Sequence, residues 1–504
     1  MSTPLSHHQN PTTTTTKPEM PYHHKQSPHA TAATATRSPN SFFSPKFSVY
    51  LCSICVTLFV LFQIKILQTP LPSSHNSLSF LHNWQEKLTT NDQESTNSCT
   101  NDQTIDTLRD KLKESVTFLP LKDLRFANSA LVGHTWFMSS LYDTQEEGGV
   151  QYQQFPSKSS DGRILCIKGH DNHDGSWNYY ALAYPEFLPK NATLVTGRTF
   201  VSYNHYDFGN IWHGLSALVP FVAWHLKSGC ALPTRWILYH WGEVRTGMSP
   251  WLNTLMEATF GGPMNIEKYD NVEDDQAVMC YEEAVVMRHN EGGMSREKRM
   301  GVYDLIRCKV RTMCGVEVDR TDHEIGMTLL MRTGPRSFRN ETTVVEIFEK
   351  ECNKVENCRL TVAYSSNLTI CEQVKLMGKT DILVSPHGAQ LTNLFLMDRN
   401  SSVLEFFPKG WLKLAGVGQL VYQWMCSWSG MKHEGAWRDT EGEHCRYPDP
   451  ENDRRCMSIY KNGRIGYNAT YFSQWASKVL NEVKTRKLED VAKGNKVPTK
   501  CACG

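Results

Sequence analysis

Short β-rich runs and helical runs alternate from residue 327 onward, and this alternation constrains the fold more than any other feature of the chain. Strands separated by helices pair in parallel through crossover connections, which place helices on both faces of one sheet. With right-handed crossovers, such a unit is Rossmann-like. We therefore predict a parallel α/β sheet with strands over 328–331, 359–364, 381–385 and 403–407 and helices over 343–352, 367–378 and 389–397.

The preceding stretch of the chain contains a similar mixture of strands and helices. Apolar residues at helical spacing predict a helix over 105–116 that leads into this stretch. Ser295 is placed to cap a helix that ends before Gly315. We predict two α/β halves, 104–320 and 321–488, and a tail over 489–504. The other elements predicted in the first half are strands over 164–167, 193–202, 236–240 and 278–287 and helices over 210–227 and 250–260.

The run over 47–64 has no charged side chain, and as a helix its eighteen residues would rise about 27 Å. Four basic residues and one acidic residue precede it, so the positive-inside rule leaves the N-terminus in the cytosol. We predict a type II signal anchor that follows a disordered tail (1–46) and precedes a stem (65–103). The alternative is a cleaved signal peptide, which would need a shorter basic start. So short a span suits a Golgi or endoplasmic reticulum bilayer.

Cysteines and glycosylation triplets indicate an oxidising compartment. Fourteen of the sixteen cysteines follow the apolar run, and none of them forms a Cys-x-x-Cys pair. An even number of scattered cysteines is typical of disulfides, although buried free thiols are the alternative. Five Asn-x-Ser/Thr triplets are predicted glycosylation sites, at Asn191, Asn340, Asn367, Asn400 and Asn468.

The charge balance argues against a nucleic-acid partner. The 53 basic and 52 acidic side chains leave a formal net charge of +1. Nucleic-acid-binding domains usually carry a basic stripe with interleaved aromatic residues, and the sequence has no long run of this kind.

Polar residues follow the predicted strands of the second half. Arg332 and Arg336 follow the first strand, the run 385–393 follows the third, and Glu405 lies near the end of the fourth. Ligands of open parallel sheets bind beyond the carboxyl ends of the strands, so we expect these residues to converge on one crevice. The alternatives are an ordinary turn at His387 and surface positions for the two arginines.

These residue types suit the diphosphate of a nucleotide leaving group. Arginine forks match phosphate oxygens, and a helix that begins near Ala389 offers free N–H groups. Gly388 would let the backbone approach the ligand, and Glu405 would accept hydrogen bonds from ribose hydroxyls. The predicted nucleotide-sugar-binding residues are Arg332, Arg336, Ser385, His387, Gly388, Ala389, Gln390, Thr392, Asn393 and Glu405.

An ordered set of motifs resembles glycosyltransferase family 61. The runs 381–393 and 403–408 resemble the signature of that family. The run 210–213 resembles its Asn/His motif, which makes Asn210 an expected acceptor-side residue, and 280–286 resembles its cysteine-led strand. Arg332, Arg336 and Asn340 fall at the spacing of the family's Arg, Arg and Asn. The resemblance covers about residues 195 to 410.

The resemblance implies a GT-B fold, in which two Rossmann-like halves face each other across a cleft. It also implies inversion at the anomeric carbon and a UDP-sugar donor, with a pentose or an N-acetylhexosamine moved to a polysaccharide or glycoprotein in the Golgi lumen. A complex with other Golgi glycosyltransferases is a further expectation. The chain has no Asp-x-Asp motif between strands, so we expect no metal cofactor. The run 170–174 either ligates a cation or forms a polar loop.

The catalytic base is the point at which the chain departs from the family. The family places an Asp four residues after the His of its Asn/His motif, and here that position is Ala217. His213 acts alone in one hypothesis, and His205 or Asp207 substitutes in another. The alternative function is a non-catalytic binding or assembly protein of the same fold. Asn340 presents a conflict, because a glycan there would exclude it from a buried donor site.

Overall fold

The computed structural model of the chain describes residues 101–121, 146–204, 207–270, 276–288, 294–316, 324–411, 415–450, 452–493 and 501–503. The predicted tail, the membrane run 47–64 and the stem up to residue 100 lie outside these residues. Among the helices that are described, none is long and apolar enough to cross a membrane.

The first half contains a mixed sheet of eight strands. The bounds are β1 Leu119–Pro120, β2 Gln153–Phe155, β3 Ile164–Lys168, β4 Tyr179–Ala183, β5 Ala192–Asn204, β6 Arg235–His240, β7 Glu243–Arg245 and β8 Val278–Arg288. Their order along the sheet is β1-β4-β3-β8-β5-β6-β7, with β2 on β8. Within the described part of this sheet, only the pairs β5–β8 and β5–β6 are parallel. The other pairs are antiparallel; β6 and β7, for example, are joined by Trp241 and Gly242 alone, too short a connection for a crossover helix.

The second half contains the predicted parallel sheet, with one strand more than the sequence indicated. The bounds are β9 Ile325–Met331, β10 Cys358–Tyr364, β11 Ile382–Pro386, β12 Ser402–Phe407 and β13 Lys432–Arg438. Their order along the sheet is β10-β9-β11-β12-β13, and all neighbours pair in parallel. The fifth strand, β13, extends the sheet beyond the last predicted strand.

Helices cover both sheets, and several of those described begin directly after a residue whose side chain caps the helix. The bounds are α1 Asn101–Glu114, α2 Ile211–Lys227, α3 Pro250–Phe260, α4 Arg296–Met313, α5 Glu341–Cys352, α6 Ile370–Gly378, α7 Val421–Ser429, α8 Arg454–Asn462 and α9 Ala469–Lys493, with 3₁₀ helices over Gly175–Trp177, Ser365–Asn367, Ala389–Leu396 and Gly416–Leu420. Ser295 caps α4 as expected. Helix α6 begins later than the predicted residue 367, because Thr369 and Glu372 form a capping box.

The two halves share one hydrophobic core. Helices α2, α3 and α4 of the first half pack against α6, α7 and the 3₁₀ helix Ala389–Leu396 of the second. On the other face of the second sheet, α5 and α9 enclose a separate apolar cluster. Ser98–Gly504 therefore forms one structural unit.

Six disulfides form among the described cysteines, and four of them join residues at least 57 positions apart in the sequence. Two of them, Cys308–Cys501 and Cys230–Cys503, attach the C-terminal residues to the first half. Cys426 is a buried free thiol. The other pairs are Cys166–Cys280, Cys314–Cys371, Cys352–Cys358 and Cys445–Cys456.

Candidate functional site

The candidate site lies where the strand order of the second sheet reverses. The crossover from β9 leads outward to β10 on one side, and the chain then returns to β11 on the other side. In doubly wound sheets of this order, ligands bind at the carboxyl ends of the two strands that flank the reversal. Arg332 follows β9 directly, and His387 and Gly388 follow β11.

Arg332 packs against the turn that follows β11. Its Nη1 donates to the carbonyl oxygen of His387 at 3.2 Å and to Oε1 of Gln390 at 3.3 Å. A Cβ at position 388 would collide with this guanidinium, so a larger residue there would displace the Arg332 side chain from its present position. Burial lowers the pKa of Arg332. Its Nε is buried and has no hydrogen-bond partner within the described part of the chain.

Arg336 is held by a rigid loop beside Arg332. Its φ is 62°, a conformation that costs energy for a non-glycine residue, and its N–H donates to the carbonyl of Gly463 at 2.9 Å. The guanidinium lies 5.4 Å from the ring centroid of Trp411. Burial, together with repulsion from the Arg332 cation, lowers the pKa of Arg336 to about 10. A half-buried pair of neighbouring cations of this kind favours an anion between them.

His387 is anchored by a buried carboxylate that also binds a second histidine. Its Nδ1 lies 2.6 Å from Oε1 of Glu405, and Nε2 of His433 lies 2.8 Å from Oε2 of the same carboxylate. The His387 ring stacks on Phe407 with centroids 4.6 Å apart. The prediction that Glu405 binds ribose is therefore wrong: its side chain is fully buried and both oxygens are engaged. Glu405 instead orients His387.

The Glu405 carboxylate is ionised in this environment. Burial raises the pKa of the group, but the hydrogen bonds and charges of His387 and His433 more than offset that effect, so the net pKa is lowered. A carboxyl group whose pKa is lower in the folded state than in the unfolded state stabilises the fold at pH values above its unfolded-state pKa. That contribution is lost as the pH falls through the folded-state value.

Replacing Glu405 by glutamine is therefore expected to lower the free energy of unfolding by about 1–3 kcal/mol at neutral pH, because a buried histidine loses its charged partner. Denaturant unfolding at several pH values measures the effect. The difference from wild type should shrink in strong acid, where Glu405 is protonated. Glu443→Gln, at an exposed position, is the control and should leave the free energy of unfolding unchanged. Equal stability of Glu405→Gln and wild type at pH 7 would contradict the anchoring role.

Four other predicted nucleotide-binding residues belong to the layer beneath the crevice. Their side chains are buried, so the structure assigns them a supporting role rather than ligand contact. Ser385 Oγ donates to the carbonyl of Leu330 at 2.8 Å, and Gln390 Nε2 donates to the carbonyl of Pro386 at 2.6 Å. Asn393 accepts from Nε1 of Trp251 at 3.2 Å, and Thr392 is fully buried. Ala389 is only half-buried, at the start of the 3₁₀ helix.

His213 lies in the first turn of α2, shortly after the end of β5. Asn210 caps α2 by accepting from the N–H of Trp212 at 3.0 Å, so its side chain serves the helix. Asn204, the last residue of β5, donates to the carbonyl of His213 at 3.4 Å. His213 is half-buried, and burial together with the charge of Lys461 lowers its pKa to about 4.

Contacts across the halves bring His213 toward the arginine crevice. Trp212 and Tyr422 have ring centroids 5.7 Å apart, and Tyr422 lies 5.3 Å from the ring of His387. Lys461, whose charge acts on His213, belongs to α8 of the second half. The start of α2 therefore lies near the carboxyl edge of the second sheet.

The other candidates for a base are less well placed. Asp207 is 58% exposed and pairs with Nε of Arg245 at 3.3 Å. His205 lies outside the described residues. Ala217 is one turn beyond His213 on α2, fully buried in the shared apolar core. An acid at 217 would therefore be enclosed by apolar side chains.

The predicted glycosylation asparagines all lie on the surface. Asn340 is exposed and caps α5, accepting from the N–H of Thr343 at 3.2 Å, so it belongs to the surface and not to the donor crevice. This placement removes the conflict between a glycan at 340 and a buried site. The other four, Asn191, Asn367, Asn400 and Asn468, are also exposed.

The two clusters of possible metal ligands are engaged in contacts within the protein. In the run 170–174, Asp171 Oδ1 accepts from the N–H groups of His173 and Asp174 at 2.6 and 2.8 Å, as in a polar loop. His225 lies close to the sulfurs of Cys230 and Cys503, but these two sulfurs are joined in a disulfide.

Sequence patterns did not indicate three residues of the site: His433, Tyr422 and Trp411. His433 lies on β13, a strand that was not predicted, and Tyr422 lies on α7. Trp411 follows β12 closely, directly after Gly410. Its position a few residues beyond a predicted strand end was the one available signal.

A comparison with protein-family models agrees with these motifs. The model of Glycosyltransferase 61 matches residues 52–404, well over half of the chain. The matched region contains Arg332, Arg336 and His387 and ends one residue before Glu405. A search of curated proteins finds no match. The chain belongs to the glycosyltransferase 61 family.

Proposed function

We propose that the protein is an inverting glycosyltransferase of the GT-B arrangement that moves a sugar from a UDP-sugar to a polysaccharide or glycoprotein. The observation that carries the proposal is the pair of half-buried arginines at the strand reversal. Arg332 and Arg336 each keep a buried Nε for which the described chain supplies no acceptor. Donors of this kind match the oxygens of a diphosphate.

In the proposed reaction, an acceptor hydroxyl attacks the anomeric carbon from the face opposite the nucleotide. The bond between that carbon and the phosphate oxygen breaks, and its electron pair remains on the diphosphate. Arg332, Arg336 and His387 stabilise this growing negative charge, which is the largest contribution expected from such a site. His213 takes the hydroxyl proton, and UDP leaves.

The donor groups at the crevice suit an anion better than a metal ion. They are guanidinium and imidazole N–H groups, whereas divalent cations in such enzymes prefer oxygen ligands. Glu405, the carboxylate beside His387, is engaged by two histidines. We therefore propose transfer without a metal cofactor.

The test of this function is a panel of UDP-sugars with purified full-length protein, in which released UDP is the readout. Pentose and N-acetylhexosamine donors form the main arms. Failure to bind UDP and to turn over any UDP-sugar would remove the proposal. The non-catalytic alternative, suggested by Ala217, predicts UDP binding without turnover, so transfer to any acceptor eliminates it.

Placement in the Golgi as a type II membrane protein is part of the proposal. Analysis of the N-linked glycans that the protein carries tests whether its globular part lies in the lumen.

His213→Ala is expected to reduce kcat/KM by about 10²–10⁴-fold, because general bases contribute on that scale. The base works unprotonated, and its pKa of about 4 keeps it so at neutral pH. Activity should therefore fall only as the pH drops toward 4. Lys461→Ala removes a cation that lowers this pKa, so the acid limb should move to higher pH. A pH profile of kcat/KM checks both results; an unchanged rate in His213→Ala would exclude this base.

A further inference from the structure

Trp411 is fixed in a buried position just beyond β12. The chain turns at Gly410, where φ is 71° and where a Cβ would collide with the ring of Tyr460 on α8. Only glycine satisfies both conditions at this turn. The indole that follows is 6% exposed. The turn and α8 therefore place the Trp411 ring inside the protein, not on its surface.

The neighbours of Trp411 are two of the proposed diphosphate-binding residues. The guanidinium of Arg336 lies 5.4 Å from the centroid of the indole, within cation–π range. The centroid of the His387 ring lies 6.0 Å away. Trp411, which follows β12, thus borders the same crevice as Arg336 and His387.

The indole nitrogen of Trp411 is buried, and no acceptor for it is found in the described ranges of the chain. An indole N–H can only donate, and a buried donor without an acceptor is unfavourable. The buried Trp251, by contrast, donates to Asn393 at 3.2 Å. Together with Nε of Arg332 and Nε of Arg336, Trp411 supplies a third unmatched donor at this crevice. Three such donors call for a ligand rich in acceptor oxygens.

We propose that Trp411 is a donor-substrate-binding residue whose indole N–H donates to a phosphate oxygen of the nucleoside diphosphate, while its ring holds the guanidinium of Arg336. The inference rests on the proposed function and adds to it a residue that lies outside the family match, which ends at 404. A phosphate oxygen is the acceptor because the two neighbouring functional groups, Arg336 and His387, are themselves anion-binding.

The experiment compares Trp411→Phe with wild type by titration calorimetry of UDP and of uridine into purified full-length protein. Phenylalanine keeps an aromatic face for Arg336 and removes the N–H. We expect UDP binding to weaken about 10- to 100-fold, the effect of losing a hydrogen bond to a charged group, with uridine binding unchanged. Trp411→His restores a ring N–H and should recover part of the affinity. Trp475→Phe is the control, since that buried ring packs on Phe406 and Tyr471 and not on an arginine.

The outcomes separate this inference from the function on which it rests. Equal UDP affinity of Trp411→Phe and wild type overturns the inference and leaves the proposed function intact. Equal weakening of UDP and uridine also overturns it, because the N–H would then contact the nucleoside. If wild-type protein binds no UDP, the proposed function and the inference both fail. Thermal unfolding of each variant confirms that the compared proteins are folded.

Discussion

Replacing Arg336 by alanine is expected to lower kcat/KM by about 10²–10³-fold, the loss typical of removing one preorganised donor from developing negative charge. Arg336 is half-buried beside Arg332, and its backbone is held at a φ of 62° by the hydrogen bond to Gly463. The side chain is therefore positioned before the donor binds. Steady-state kinetics with the best UDP-sugar of the panel measures the loss.

Two further variants show whether the loss arises from the guanidinium itself. Arg336→Lys keeps the charge but not the fork, so it should recover only part of the rate. Arg359→Ala changes an exposed arginine of β10 and should leave kinetics unchanged. The unfolding temperature of Arg336→Ala should stay close to that of wild type, because the substitution removes one of two cations that repel each other in the crevice. A wild-type rate in Arg336→Ala would mean that the diphosphate binds elsewhere.

Placing an aspartate at Ala217, the position where the family has one, is expected to destabilise the protein by about 4 kcal/mol at pH 7, the energy of a pKa raised by about three units. Ala217 is fully buried in the apolar core between α2 and its neighbours, where a carboxyl group resists ionisation. Denaturant unfolding of the full-length protein measures the loss.

The pH dependence identifies buried charge as the cause of the loss. The introduced carboxyl group has a higher pKa in the folded state than in the unfolded state. Ala217→Asp should therefore be more stable at low pH than at neutral pH, and this stability is lost as the pH rises through the folded-state pKa. Ala217→Asn has the same size without the charge, so its effect should not change with pH. Ser216→Asp, one residue earlier and half-buried, is the positional control. A stable and more active Ala217→Asp would instead show that the chain has lost a base at 217.

Local signals were sufficient to predict most of the second half. Alternating runs located β9 to β12, because this feature depends on neighbouring residues alone. In the first half, Ser295 located the start of α4 for the same reason. The parallel order follows from the helices between the strands. Arg332 and His387 were predicted to meet because the carboxyl ends of parallel strands share one edge.

The parts that could not be predicted depend on tertiary contacts. Strand β13 carries Lys432, His433 and Glu434, a polar run that joins the sheet only because β12 offers an open edge. The antiparallel pairs of the first sheet depend on short connections between strands, such as the two residues between β6 and β7. The pattern of strands along the sequence does not reveal these pairings. For Glu405, the strand-end position was correct, but the sequence could not show that His387 and His433 occupy both of its oxygens.

The most direct test of the central claim is an experimental structure of the full-length protein with UDP. We predict that both phosphates lie at the carboxyl ends of β9 and β11, within hydrogen-bond distance of the guanidinium groups of Arg332 and Arg336 and of the ring of His387. Density for UDP at another place, or phosphates that touch neither arginine, would contradict this claim.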